Sequence, residues 1–330
     1  MNNNIFISIA SYRDKNCPKT IKSIYDNAKY PENIFIGICQ QNNEEIDIDC
    51  LQNLDEKYKT QIKIIRINYK DTKGVTYARY LCSTLWKNEK YFLQIDSHTH
   101  FIKNWDIKCI YTINQLKKNN ISKKPVLSHY PRDYTDIQKK DNFNITYVKY
   151  YYYMKDIDII KFDGARFINS NNSFIKTPFV TGNFLFTESK FLEEIPYDPT
   201  LDYLHQGEEI LHSLRFYTHG YDIYVPNETI AYHLYNTNEP KIWIDNKDIE
   251  KKRAIVYKKI INVFNSYNNT IANLYLGKYG LGNKRSLNSY RRYLKIYKTY
   301  LRKFLINLLI FINIAIIIFY LLYIIFKKLF

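Results

Sequence analysis

The sequence predicts an α/β protein: one open, largely parallel sheet domain, then a helical stalk and a single transmembrane helix. Three observations carry this. Short apolar runs alternate with amphipathic segments through the first half. Polar loops follow those runs, where ligands of open α/β sheets bind. Charge and hydropathy then change abruptly beyond residue 246, giving a domain over 1–246, a stalk over 247–303, a membrane helix over 304–326 and a short tail over 327–330.

The elements follow in order. Ile5–Ala10 reads as a strand, with the polar loop Ser11–Asn16 after it. Pro18 opens a helix to about Ala28, with Ile21, Ile24 and Tyr25 on one face. Ile34–Cys39 and Ile62–Ile67 are further strands, Gly74–Trp86 a helix, and Tyr91–Ile95 a fourth strand. Val126–His129 is another, stopped by Pro131, and residues 132–178 form polar, Tyr-rich excursions on the acceptor side. Phe179–Thr187 returns to the core, Gly207–His219 is a helix opened by acids, and Ile223–Val225 and Thr229–Leu234 are short strands.

The net charge of +16 first suggests nucleic acid, but its distribution argues otherwise. Residues 247–330 carry 17 Lys+Arg against 2 Asp+Glu, whereas residues 1–246 are nearly balanced at 31 against 30. No C2H2, RRM or basic-zipper pattern accompanies the charge, so no nucleic-acid partner is expected. Phe304–Phe326 is uncharged over 23 residues. As a helix it would reach about 34 Å, against ~30 Å for a bilayer core. Eight Lys and Arg precede it closely and only Lys327 and Lys328 follow. The positive-inside rule then predicts a single-pass C-terminal anchor with the large domain in the cytosol.

No basic and apolar leader is visible at the start. Cys17, Cys39, Cys50, Cys82 and Cys109 form an odd set without metal-type spacing and read as reduced, mostly buried thiols. Asn144, Asn171, Asn227 and Asn268 begin glycosylation sequons, which an Asn-rich chain contains by chance; glycans there would overturn the cytosolic placement.

Chemistry concentrates at Asp96-Ser97-His98, at the end of the fourth strand. An acid and a histidine two residues apart project to one side of a sheet and can hold one divalent ion. The alternative is a polar strand exit with an Asp capping a turn. Five segments in order surround it: Ile9–Asp14, Gly74–Arg79, Gln94–His98, Gly207–Ile210 and Tyr232–Tyr235. Together they resemble the N-acetylglucosaminyltransferase family that modifies polypeptides, which includes cytoplasmic enzymes acting on a hydroxyproline of a ubiquitin-ligase adaptor. More distantly they are similar to the polypeptide N-acetylgalactosaminyltransferases, which also carry an Asp-x-His. The match runs from about residue 4 to 245.

The resemblance implies a GT-A fold, a UDP-sugar donor, a divalent metal, usually Mn2+, a protein acceptor and retention of anomeric configuration. It implies Asp96, His98 and His233 as metal ligands, although His233 alone would read as a packed strand histidine. It implies nucleotide contacts from Ser11, Arg13, Gly74, Arg79, Asp96 and Ser97. Arg79 reads equally as a clamp or a surface helix residue, and Asp14 as a turn or helix-entry residue. Glu208 and Glu209 are the catalytic candidates, and adjacent helix positions put at most one toward the donor sugar. Glu208 is favoured to bind sugar hydroxyls or orient the acceptor; the alternative is acids placed to suit the helix dipole. His100 is either a substitute ligand or a loop residue. His205, Glu208 and His212 have helix-like spacing, but no H-E-x-x-H or H-x-x-E-H occurs. The function so predicted is transfer of a sugar, GlcNAc from UDP-GlcNAc, to a protein hydroxyl. The alternatives are another UDP-sugar or a glycan acceptor, or an inactive membrane-tethered binding module.

Overall fold

A computed structural model of the protein describes residues 3–139, 144–154, 156–169, 174–236, 238–295, 308–320 and 324. Its first half follows the apolar runs. Strand β1 (Ile5–Tyr12), helix α1 (Cys17–Asn27), β2 (Ile34–Asn42), β3 (Ile62–Asn68), α2 (Val75–Ser83) and β4 (Tyr91–Asp96) form a parallel unit. β1 and β4 are buried over almost their whole length, as strands covered on both faces must be. Pro18 sits in the first turn of α1, and Ile21, Ile24 and Tyr25 face the core.

Shorter elements follow: β5 (Thr99–Phe101), α3 (Trp105–Lys118), β6 (Pro125–Ser128) and β7 (Arg132–Asp133). Next come β8 (Asn144–Val148), β9 (Tyr151–Tyr153), β10 (Ile160–Phe162), β11 (Ala165–Asn169), β12 (Lys176–Thr177), β13 (Phe184–Glu188) and α4 (Phe191–Glu194). The Tyr-rich excursion is therefore a nested pair of antiparallel ribbons, β9 with β10 inside β8 with β11. α5 (Glu208–Thr218), β14 (Asp222–Tyr224), β15 (Ala231–His233), α6 (Ile242–Asp245), α7 (Ile249–Asn265), α8 (Asn269–Leu276) and α9 (Leu287–Lys295) complete the order.

Among the described residues the main sheet has eight strands in the order β12-β14-β6-β13-β4-β1-β2-β3, with β13 antiparallel to both β4 and β6. A separate three-stranded sheet, β5-β15-β7, stands at the carboxyl end of β4. α3 was not anticipated, although Trp105, Cys109, Ile113 and Leu116 bury one face at helical spacing.

The segment read as a stalk consists, over 247–295, of α7, α8 and α9 packed onto the main body. Ile260, Val263, Leu287 and Tyr290 share a buried cluster with Leu204, Ile210 and Leu214, and the Tyr290 hydroxyl donates to the Pro178 carbonyl at 3.0 Å.

Two expectations are corrected. Among the described residues no helix is long and apolar enough to cross a membrane. Within the span expected over 304–326, helix is described over 308–320. Those 13 residues reach about 20 Å, short of a ~30 Å core. Residues 304–307, 321–323 and 325–326 lie outside the described residues. The single-pass anchor, and the membrane placement derived from it, are withdrawn. The thiols are not all reduced either: Cys17 and Cys50 form a disulfide, because the start of α1 packs 5.0 Å (Cα to Cα) from the loop after β2. Cys39, Cys82 and Cys109 are free and buried.

Candidate functional site

β1 pairs with β2 on one side and β4 on the other, so strand order reverses there and a crevice opens at their carboxyl ends. Ala10 is the register partner of Asp96 at the ends of β1 and β4. The chain turns at Ser97-His98 into β5, which pairs antiparallel with β15 and sets His233 opposite Thr99. The Leu234 amide donates to the His98 carbonyl at 3.1 Å, locking this register. Two histidines remote in sequence thus meet, with ring centroids 4.5 Å apart.

One ligand atom each from Asp96, His98 and His233 lies within 4.8 Å of the others. Two ligands about 2.1 Å from a common ion stand at most ~4.2 Å apart, so small side-chain adjustments suffice to bind one. A carboxylate oxygen with two imidazole nitrogens suits Mn2+ and its neighbours in the series. His233 Nε2 is 3.1 Å from Asp96 Oδ2. Burial opposes ionisation of Asp96, but that contact and the charge of Arg79 outweigh it and hold the carboxyl below its ordinary range. The imidazoles diverge. Burial lowers the pKa of His233, whereas at His98 hydrogen bonding to Asp14 and the charge of Asp96 overcome burial and raise it.

Arg79 is no surface residue. It is 4% exposed, and it donates to Glu208 Oε2 at 2.5 Å, to Asp96 Oδ1 at 3.1 Å and to the Gly182 carbonyl at 2.8 Å. Burial opposes its charge, but Glu208 and Asp96 more than compensate. Its guanidinium packs so closely on Gly182 that a Cβ there would stand 2.9 Å from Nη1. Gly74 has φ +90°, and a Cβ on it would meet the Tyr203 backbone at 2.9 Å, so α2 starts where only glycine fits.

Glu208 and Glu209 open α5 and both line one cleft with Arg79, Asp96, His233 and Tyr235. Glu209 accepts from the Gly182 amide and the Tyr130 hydroxyl, each at 2.8 Å. Burial, reinforced by the Glu208 charge, pushes its pKa up to about 7.

A second cleft adjoins across Asp96. Gly74, Ser97, His98, Tyr203, Trp243 and Arg253 are among its lining residues. Ser11 and Arg13 do not line it. Ser11 is buried, and Arg13 pairs with Asp47 at 2.8 Å and Asp245 at 3.0 Å while stacking on Tyr69. His100 stands apart from the cluster, its ring 4.4 Å from Tyr134. His212 packs between Tyr197 and Phe216, while His205 lines both clefts. Asp14 joins the site although its sequence context left it a loop residue. The signal was its place after β1, the strand beside β4.

The fold and the match to known families define the class. The profile described as Glycosyltransferase (GlcNAc) matches residues 4–59 and 44–300. The chain belongs to that family. No curated protein sequence matches it. Among solved structures, GalNAc-T7, crystallised with UDP, GalNAc and Mn2+, superposes with a TM-score of 0.52 at 16% identity, over 79% of this chain and 50% of that one. The chain thus spans about half the length of GalNAc-T7, and the likeness is one of fold. TarS of S. aureus, in complex with UDP-GlcNAc, is more remote, with a TM-score of 0.44 at 10% identity over 83% of this chain and 72% of that one.

Proposed function

We propose that this chain transfers a sugar, GlcNAc from UDP-GlcNAc, to a hydroxyl of a protein acceptor, with retention and with a divalent metal, Mn2+. The observation that carries the reading is the convergence of Asp96, His98 and His233 within 4.8 Å at the sheet's switch point. A divalent ion held there would supply positive charge against a diphosphate leaving group.

The chain's own residues account for the rest. The nucleotide lies in the cleft on the other side of Asp96, where Tyr203, Trp243 and Arg253 offer aromatic faces and a cation. Arg79, pinned between Asp96 and Glu208, keeps the metal side and the sugar side at a fixed spacing. Glu208 accepts hydrogen bonds from sugar hydroxyls. Glu209, held by Tyr130 and Gly182, shapes the adjoining wall where the acceptor enters. In the retaining step the bond from the anomeric carbon to the donor phosphate breaks, and the acceptor oxygen bonds to that carbon from the same face. Its proton passes to the departing phosphate oxygen, so no protein nucleophile is required. GalNAc-T7 was crystallised with UDP, GalNAc and Mn2+, which supports a UDP-sugar donor and a divalent metal on a related architecture.

The test is UDP release by the full chain with Mn2+ and a panel of UDP-sugars. Turnover is expected with UDP-GlcNAc and should stop when the metal is chelated. Absence of UDP release with every donor would refute the reading. Preferential use of another donor would refute the GlcNAc assignment alone.

A further inference from the structure

We infer that Asp14 is a positioning residue that fixes the tautomer and direction of the His98 ring. The inference rests on the reading of Asp96, His98 and His233 as metal ligands. Asp14 lies in the loop after β1 and is 4% exposed. Its Oδ2 stands 2.7 Å from His98 Nδ1 and accepts from Ser97 Oγ at 2.7 Å. Its Oδ1 accepts from the Asn16 amide at 2.8 Å and from Asn16 Nδ2 at 3.1 Å.

An ionised carboxylate only accepts. The proton between Asp14 and His98 therefore sits on Nδ1, which leaves the Nε2 lone pair of a neutral ring free for an ion. A turn cap alone would need only the Oδ1 contacts to Asn16. The second oxygen is committed to the two residues that follow Asp96. The surroundings hold the geometry from both sides. Thr20 Oγ1 donates to the Ser97 carbonyl at 2.8 Å and accepts from the Thr99 amide at 2.9 Å. The Cys17–Cys50 disulfide ties the same loop's exit to the segment after β2. Asp14 so joins β1 to the ligand-bearing turn of β4, and its loss should free the His98 ring to rotate without removing a ligand.

The experiment measures Mn2+ affinity by calorimetry on the full chain, with Asp14→Ala, Asp14→Asn and Asp96→Ala beside the unaltered protein. Loss of such an outer partner typically weakens metal binding by about 10- to 100-fold. Asp14→Ala should fall in that range, and Asp14→Asn should fall less, because its amide oxygen still accepts from Nδ1. Nitrogen NMR of histidine-labelled, metal-free protein at alkaline pH gives an independent reading. His98 should be the Nδ1–H tautomer in the unaltered chain and shift toward Nε2–H in Asp14→Ala. Should the Ala variant fail to fold, Asp14→Asn carries both measurements. Unchanged affinity and tautomer in the Asp14 variants, with binding abolished by Asp96→Ala, would overturn the role of Asp14 alone. Unchanged binding in Asp96→Ala would overturn the metal reading beneath it, and this inference with it.

Discussion

Asp96 reaches the site at the end of a six-residue strand paired in parallel with β1, with His98 in the turn that follows, whereas His233 arrives on a three-residue strand in a separate sheet. The difference lies in what aims each side chain. At Asp96 the pleat of a buried strand and the switch point beside it are local consequences of the sequence. At His233 direction comes from pairing with β5, more than a hundred residues earlier. A second buried cluster, joining α5 to α7 and α9, stands beside the core around β1 to β4.

The largest expected effect tests whether the two regions make one site. Asp96→Ala and His233→Ala should each reduce UDP release by several kcal/mol of transition-state stabilisation, on the order of 10³-fold. Calorimetry should show Mn2+ binding lost in both. A His233 variant that bound Mn2+ normally would break the comparison, leaving the β4 side to act alone. Next comes the shared core. Ile260→Ala should cost about 2–5 kcal/mol in denaturant unfolding, within a single transition. A separate early transition would mean that α7 folds independently of the sheet. Reducing or replacing the Cys17–Cys50 bridge, on the regular side, should cost about 2–4 kcal/mol by the same measurement.

A pH series sharpens the contrast further. The pKa of Glu209 is raised from 4.5 to about 7 in the folded chain. The folded state therefore holds the proton that the unfolded state has lost, and stability falls as pH rises between those values, with a slope of at most ~1.4 kcal/mol for each step of one in pH. Glu209→Gln should flatten that slope. Asp14 and Asp96 act in the opposite direction. Their pKa values are lowered, so their contribution is present above the ordinary carboxylate range and is lost as pH falls below it through the lowered folded-state values. Smallest is the cap of α8, where Asn268 accepts from the Ile271 amide at 3.0 Å. Asn268→Ala should cost about 1 kcal/mol.

Much of the regular half was legible in the residues. The strands begin where the apolar runs do, and β1, β2 and β4 extend past them only because their last, polar residues still pair in the sheet. Asp96-Ser97-His98 stood out for the same reason. Arg79 did not resolve, because a helix face cannot be known as buried until something packs on it. Here that is Gly182 and Glu208, each more than a hundred positions away. Glu208 and Glu209 were separated by helix geometry, yet a cleft that wraps the first turn of α5 reaches both. Arg13 looked like a nucleotide contact by position; its pairing with Asp47 and Asp245 depends on loops that the sequence does not place. The tail misled more deeply. A long uncharged run satisfied a hydropathy criterion, while the helix described within it is too short to span a bilayer.

By itself, the sequence determined the parallel α/β core, the chemical types of the metal-ligand candidates and the end of the strand where they would gather. Periodicity and side-chain chemistry are local, and these features need nothing else. Only the tertiary structure decided that His233 meets His98, that Asp14 holds that ring, that Arg79 joins Asp96 to Glu208, that Cys17 pairs with Cys50 and that α7 to α9 belong to the body. Each of these depends on which distant surfaces bury one another, a choice made by the packing of the whole chain.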